Sequence, residues 1–350
     1  MKKLMKGIGN WLDNFKETSV IGLDIGEDTI KLTEVDTGRG RIVLKGLSIV
    51  ETPRGGVEDG KLKAPKMVAE ILNPVFEENN FSTKQVTTAI SGEEVITRAI
   101  EIPNIPKEEL GEAVKWEASA QIPIPIEELI LDYEILGRGE DGSYNILIIA
   151  VKKKLIDNYL KLFELLKLQG VAIEIEPIAI ARTVGKLYET DTIGVIDMGT
   201  KTTDISILHK DQLLFTRTVG IGGIDITHDV ADSFELRLEE AEEYKKENNL
   251  FEEGFTSLVL RSLTTDIYRS LDYFQVKNKG VDIKKIILTG GGSKLLGLDK
   301  HLSNEFGVNV EKLDLSNRLT SNLRSEEDLL QLAPFLGVSI GLALREEGIV

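Results

Sequence analysis

A motif that occurs twice limits the fold more than any other feature. Asp24-Ile25-Gly26-Glu27-Asp28 follows the apolar run Ser19–Leu23 and precedes the alternating run Thr29–Asp36. About half a chain later, Asp197-Met198-Gly199-Thr200-Lys201-Thr202 follows Ile193–Ile196 and precedes Thr203–Leu208. A further β-rich run comes next in each half, Arg41–Val50 in the first and Gln212–Val219 in the second. Asp and Gly are common turn residues, so one such hairpin says little and ordinary turns are the plain reading of each. Two in the same setting predict two related α/β lobes.

The chemistry of the pair follows from the residue types. Glycine lets backbone N–H groups approach an anion closely. Gly26, Glu27 and Asp28 in the first turn, and Gly199, Thr200, Lys201 and Thr202 in the second, therefore form a candidate phosphate cradle. Asp24 and Asp197 close their strands, with Asp204 two residues into the next one. These three carboxylates suit Mg²⁺ held through water, because that ion keeps much of its hydration and takes few direct carboxylates.

Two further segments join the constellation. The buried-type strand Lys284–Leu288 runs into Thr289-Gly290-Gly291-Gly292-Ser293, a turn where backbone can lie against a flat ligand such as adenine or can be purely structural. Glu174-Ile175-Glu176-Pro177 reads as the end of a strand and the start of a helix. Glu176 can orient a water for attack on a γ-phosphate. Equally, it can simply favour the positive end of its helix.

Composition narrows the alternatives. The chain has 350 residues, which suggests two or three domains. Its net charge of −16 argues against a general nucleic-acid binder. It has no cysteine and three scattered histidines, so disulfides, thiolate sites and a histidine zinc site are not expected. No apolar run approaches the ~20 residues of a membrane helix, and residues 1–16 lack a signal-peptide core, so a cytoplasmic protein is expected. Those residues form an amphipathic stripe of Leu4, Met5, Ile8, Trp11, Leu12 and Phe15 beside Lys2, Lys3, Lys6 and Lys16. Such a helix either lies in a membrane interface or docks on protein.

Between the hairpins, residues 93–172 read as β-α-β-β-α, a small inserted subdomain. Ile122-Pro123-Ile124-Pro125-Ile126 within it cannot be helix interior. Two helices are predicted at Leu236–Glu247 and Ser257–Val276, and a Gly/Ala-rich helix near Pro334–Leu344.

In order, Asp24-x-Gly26, Glu176-Pro177, Asp197-x-Gly199 with Asp204, and Gly290-Gly291-Gly292 resemble the actin, sugar-kinase and heat-shock chaperone ATPase superfamily. Within it the chain resembles the PilM family of type IV pilus assembly proteins. The particular marks are Ile102-Pro103-Asn104-Ile105-Pro106, Trp116-Glu117-Ala118, Ile122-Pro123-Ile124-Pro125 with Asp132-Tyr133, Glu176-Pro177-Ile178-Ala179, and Pro334-Phe335-Leu336-Gly337-Val338.

The resemblance implies an α/β, actin-like (ribonuclease H-like) duplicated two-lobe fold, with an FtsA-type subdomain inserted in the first lobe. On this reading residues 1–18 are an amphipathic segment. Residues 19–92 with 173–192 and a C-terminal helix at 334–350 make lobe I, and 93–172 the insert. Residues 193–240 with 285–333 make lobe II, and 241–284 its helical subdomain. The resemblance further implies ATP or ADP with Mg²⁺, at most slow hydrolysis, and a place at the inner face of the cytoplasmic membrane. It implies as partner the N-terminal cytoplasmic tail of an inner-membrane PilN-like protein, lying in a groove between lobe I and the insert, together with other pilus components. Glu242 and Lys245 match a pair that touches the nucleoside in the superfamily, although an exposed helix also forms such ion pairs. One departure stands in Ser293-Lys294-Leu295, where the chaperones carry a basic residue two places after the serine.

Other readings compete. An active ATPase or small-molecule kinase needs a substrate pocket with its own base, and no motif for one stands out. An FtsA-like membrane-tethered filament former would self-associate, but the amphipathic stretch here is N-terminal.

Overall fold

The structure is a computed structural model, and it describes residues 19–345 except 38–41, 80, 92–94, 189–191, 210, 211, 253, 254, 256, 317, 318, 322 and 324. The amphipathic segment expected over residues 1–18 lies outside the described residues.

The first hairpin forms as the alternation requires. Strands β1 (Ile21–Ile25), β2 (Thr29–Asp36) and β3 (Ile42–Glu51) make an antiparallel meander. A two-strand ribbon, β4 (Val57–Glu58) and β5 (Lys61–Leu62), leads to helix α1 (Pro65–Glu78) and then β6 (Gln85–Ile90), which pairs parallel to β1. The insert follows: β7 (Ile96–Ile102), α2 (Leu110–Gln121), β8 (Leu129–Arg138) and β9 (Tyr144–Lys152), in the sheet order β7-β9-β8. Helix α3 (Lys153–Leu166) returns to lobe I, where β10 (Gln169–Ile175) pairs parallel to β6. Helix α4 (Glu176–Leu187) then crosses to the second half.

Lobe II repeats the plan. Its meander is β11 (Thr192–Met198), β12 (Thr203–His209) and β13 (Gln212–Val219). Helices α5 (Gly223–Phe234), α6 (Leu238–Glu247) and α7 (Leu258–Lys277) cross to β14 (Lys285–Thr289), parallel to β11. Helix α8 (Leu298–Phe306) leads to β15 (Asn309–Lys312). The lobe I sheet runs β10-β6-β1-β2-β3-β16 and the lobe II sheet β13-β12-β11-β14-β15, so five strands correspond one to one.

Four features differ from the sequence reading. The insert ends with β9 rather than at residue 172, because Leu155, Tyr159 and Leu162 of α3 pack into the lobe I core and β10 joins the lobe I sheet. Strand β16 (Leu319–Ser321) pairs with β3, so the chain has re-entered lobe I before residue 334, the boundary drawn from sequence. The last helix, α9 (Glu326–Ala343), starts eight residues earlier than expected. Ser325 caps it by accepting from the Asp328 N–H, and Pro334 lies inside it rather than at its start. Helix α5 is not anticipated at all, because Gly222, Gly223 and the β-branched Ile224, Ile226, Thr227 and Val230 carry weak helix propensity. Its start is held by Asp225, whose carboxylate accepts from the Gly222 N–H at 2.8 Å.

The lobes meet through α4 and α9. Gly22 on β1 lies directly beneath Ser339 and Ala343 of α9, and Gly341 of α9 lies against the Ala179 carbonyl of α4. Any side chain at these glycines would overlap backbone. The shared core around α4 and α9 includes Ala179, Ile180, Val184, Leu336 and Ile340.

Two glycine substitutions test this packing. Gly22→Ala should destabilise the chain by about 1–3 kcal/mol through overpacking. Gly111→Ala, on α2 with nothing within 4 Å of the new methyl, should be neutral or stabilising by up to about 1 kcal/mol. Thermal melting that ranks the two the other way contradicts the account.

Candidate nucleotide site

The two turns have the same backbone. The Gly26 N–H donates to the Thr29 carbonyl at 3.1 Å, and the Gly199 N–H to the Thr202 carbonyl at 2.9 Å. They face each other, since the Thr200 hydroxyl donates to the Asp28 carboxylate at 2.7 Å. Glu27 lies near enough to Lys201 to feel its charge and accepts from the Gly60 N–H at 3.4 Å. Burial nonetheless pushes the Glu27 carboxyl up.

Sequence register places the charges. Asp24 stands opposite Lys31 across the β1–β2 pair, and Asp197 stands opposite Asp204 across β11–β12. The duplication therefore has a cation in one lobe where the other has an acid. Lys31 Nζ reaches Asp24 Oδ2 at 3.1 Å, with only 13% and 7% of the two side chains exposed. Burial by itself would lower the Lys31 ammonium, but Asp24, with Glu176 and Asp197 behind it, outweighs burial and raises it. A pair so enclosed costs about 3–5 kcal/mol to break by removing one partner. Lys31 is absent from the residues singled out from sequence. The signal was present, since the step from Asp24 to Lys31 equals the step from Asp197 to Asp204.

The remaining carboxylates share that enclosure. Burial, then Asp204 and Asp24, push Asp197 up to about 7. Burial pushes Asp204 up to about 6 against a hydrogen bond donated by Thr218. Burial, followed by Asp24, Asp197 and Asp204, drives Glu176 well above the usual carboxylate range, against a hydrogen bond from Ser91. Asp24, Glu176 and Asp197 thus face one ammonium with Asp204 beside Asp197, a donor set of hard oxygens that suits Mg²⁺. Among the described residues no three acidic or imidazole groups are placed to hold an ion by themselves. A metal at this position would take most of its ligands from water and phosphate oxygens, with Asp24, Asp197 and Asp204 around it.

The glycine turn after β14 abuts the second hairpin. Gly290 has φ of 79°, and a side chain there would strike the Asp197 carboxylate and the Met198 carbonyl. Gly292 is packed against the Met198 side chain, and Gly291 lies beside the Phe335 ring. Close packing alone therefore demands Gly290 and Gly292. Ser293 is fully buried and its hydroxyl donates to the Gly290 carbonyl at 2.7 Å, so it closes the turn. The Pro334 carbonyl accepts from the Gly290 N–H at 2.8 Å and from the Thr289 hydroxyl at 2.9 Å. Lys294 lies 4.6 Å over the Phe335 ring. Helix α9 thus holds the turn against the cleft.

Glu242 and Lys245 are joined to the second hairpin. Lys245 Nζ donates to the Gly223 carbonyl at 3.0 Å and to the Thr227 hydroxyl at 2.7 Å, and pairs with Glu242 at 2.6 Å. The Gly223 N–H in turn donates to the Gly199 carbonyl at 2.9 Å. Burial opposes the charge on Glu242, but hydrogen bonds from Lys245 and Thr227 outweigh it and lower its carboxyl. The pair is therefore no free surface ion pair: it braces the start of α5.

Comparisons with known proteins identify the family and the fold. The family model described as type IV pilus assembly protein PilM covers residues 22–347. The chain belongs to the PilM family. A solved PilM–PilN type IV pilus biogenesis complex contains a chain that is 31% identical, with a TM-score of 0.84 over 94% of this chain and 98% of that one. Ethanolamine utilization protein EutJ of Carboxydothermus hydrogenoformans has a TM-score of 0.52 at 19% identity over 93% of this chain and 89% of that one. MreB5 of Spiroplasma citri bound to ADP has a TM-score of 0.52 at 14% identity over 93% and 96%. These two share the actin-like fold. Cell division protein FtsA of Streptococcus pneumoniae is 22% identical over 96% of this chain and 84% of its own length. FtsA of Agrobacterium fabrum is 31% identical, but the match spans only 32% of that protein and 33% of this chain.

The acidic ring predicts a pH dependence. Asp197 and Asp204 hold protons in the folded chain that their unfolded counterparts release near the ordinary carboxylate value. Between about pH 4 and about pH 7 the folded state therefore binds more protons, and ligand-free stability falls as pH rises through that window. Asp197→Asn removes the carboxyl that is pushed up to about 7. It should gain more than about 1 kcal/mol on the wild type between about pH 5 and about pH 7.5. A stability difference that stays flat across that range contradicts the arrangement.

Proposed function

We propose that this chain is an ATP-binding, actin-like scaffold of type IV pilus assembly, which takes the N-terminal cytoplasmic tail of a PilN-like inner-membrane protein between lobe I and the insert. The observation that carries the nucleotide half is the convergence of both acidic turns, Asp28 bonded to Thr200, on one enclosed ring of carboxylates around Lys31. In this reading Gly26, Gly199, Thr200, Lys201 and Thr202 cradle phosphates, Lys31 neutralises them, and Asp24, Asp197 and Asp204 hold Mg²⁺ through water. Gly290–Gly292 lie under the adenosine, with Glu242 and Lys245 bracing the side of the cleft. Mg²⁺ supplies charge neutralisation of the triphosphate. The chain's work is to hold the nucleotide, with at most slow hydrolysis and Glu176 as the acid that orients the attacking water.

The partner half is supported by family membership and by a physical link. Helix α4 begins at Glu176 in the cleft, and two turns later Arg182 holds Glu174 at 2.9 Å. Arg345, just past α9, holds Glu174 at 2.6 Å, and both cations also attract Glu134 on the insert strand β8. The inner face of the insert sheet gives Leu136 and Leu147 to the core shared with α4. One helix therefore touches the nucleotide cleft at one end and the lobe–insert boundary along its length. A ligand that binds the two arrangements of that helix unequally shifts the population between them.

The test is calorimetric titration of the partner's tail peptide into the chain with ATP, with ADP and without nucleotide. The reading predicts a change of about fivefold or more between ATP and no nucleotide. Asp24→Ala should abolish that difference while leaving the nucleotide-free affinity in place. Equal affinity in all three states removes the coupling. Phosphate release near ~10 s⁻¹, an ordinary enzyme turnover, would replace the scaffold reading with an ATPase.

A further inference from the structure

The outer face of the insert carries an aromatic side chain that the fold does not use. Helix α2 is anchored by Leu110, Val114 and Ala118, and Trp116 projects from its other side with 70% of its surface exposed. Large exposed aromatics of this kind are over-represented at protein contacts. Trp116 forms one wall of an open cavity of about 710 Å³ whose other wall is Ile124-Pro125-Ile126. Pro123 and Pro125 stiffen that wall, and Ile122 beside them is buried.

The rim is acidic. Glu112 and Glu127 line the cavity, and the one lysine on it, Lys115, is paired with Glu112 at 2.6 Å. Residues 107–128 hold six acidic residues against two lysines. The cavity also lies away from the lobe boundary. One face of the insert sheet gives Ile146 and Ile148 to the cluster under α2, and the other gives Leu136 and Leu147 to the core shared with α4.

The charge and shape ask for a basic segment with bulky apolar anchors. This acidic chain contains one. Residues 1–16 carry four lysines and one aspartate, with Leu4, Ile8, Trp11 and Phe15 at spacings of three and four. Reach decides whose cavity it fills. Ser19 bonds Glu34 and Ser82 at the end of the lobe I sheet where β6 starts, whereas the insert departs from the other end of β6. Six strand residues span about 20 Å, and sixteen residues wound as the helix that the stripe needs span about 24 Å. The remaining ~4 Å does not cross the insert sheet, which lies between lobe I and the α2 side and is about 10 Å through, whereas a neighbour's insert imposes no such limit.

We propose that the Trp116 cavity is a docking site for the basic N-terminal segment of a second copy of this chain. The contact joins different surfaces on the two copies, so it builds rings or open-ended assemblies rather than a closed two-fold dimer. It is independent of the nucleotide and tail-peptide sites above.

Sedimentation equilibrium of the full chain tests it. Association should rise with concentration and weaken with added salt. Trp116→Ala should weaken it about tenfold while leaving the thermal melt unchanged, because the side chain is exposed. Glu112→Lys with Glu127→Lys should abolish it, and adding Lys3→Glu with Lys6→Glu to that variant should restore it. A chain that stays monomeric, association that survives Trp116→Ala, or a charge swap that restores nothing overturns the proposal. So does equal binding of wild type and Trp116→Ala to phosphatidylglycerol vesicles without self-association, which would assign the segment to lipid.

Discussion

Four carboxylates gathered round a single buried ammonium are the constraint on which the rest of the architecture turns. Asp24, Glu176, Asp197 and Asp204 come from four different elements, and Lys31 is the cation buried among them that pairs with Asp24. Like charges held this close in a water-poor cleft raise one another's proton affinity or demand a cation. The ring is therefore poorly balanced without a ligand, and a hydrated divalent ion on a triphosphate would balance it. Structure that concentrates unfavourable charge in this way is characteristic of functional sites.

The duplication explains how the chain achieves it. Two copies of one strand order place two identical turns at the same end of two sheets, and α4 and α9 press the sheets together. The glycines in this contact are fixed by backbone: Gly22 under α9, Gly341 against α4, Gly290 against the Asp197 turn. The lobes are alike in topology but not in charge. Opposite their turn aspartates, lobe I carries Lys31 and lobe II Asp204. In the proposed site one half would meet the anion with a cation while the other would offer a second acid toward a metal.

Much of this is legible in sequence because it is local. The Asp-x-Gly turns, the alternating strands beside them and the glycine run after β14 are set by neighbours within a few residues. What is not legible depends on pairing partners far away. Strand β16 is three residues long, and only its ladder with β3 assigns residues 319–321 to lobe I. Helix α5 is made largely of residues with weak helix propensity, and packing against α6 and α7 with the Asp225 cap overrides them. Lys31 looks like any polar residue on an alternating strand until register sets it against Asp24. Glu174 reads as a strand acid, and its two arginines, Arg182 and Arg345, come from other elements. Family resemblance supplies the order of the motifs, and the coordinates supply the distances.

The most direct measurement of the central claim is equilibrium dialysis of ATP against the chain, with and without Mg²⁺. Both halves are held to serve one metal–triphosphate. The account predicts a single ATP per chain, bound tightly only with Mg²⁺, and lost alike when either Asp24 or Asp197 is replaced by alanine. Two nucleotides per chain, or full affinity retained after either replacement alone, would contradict it.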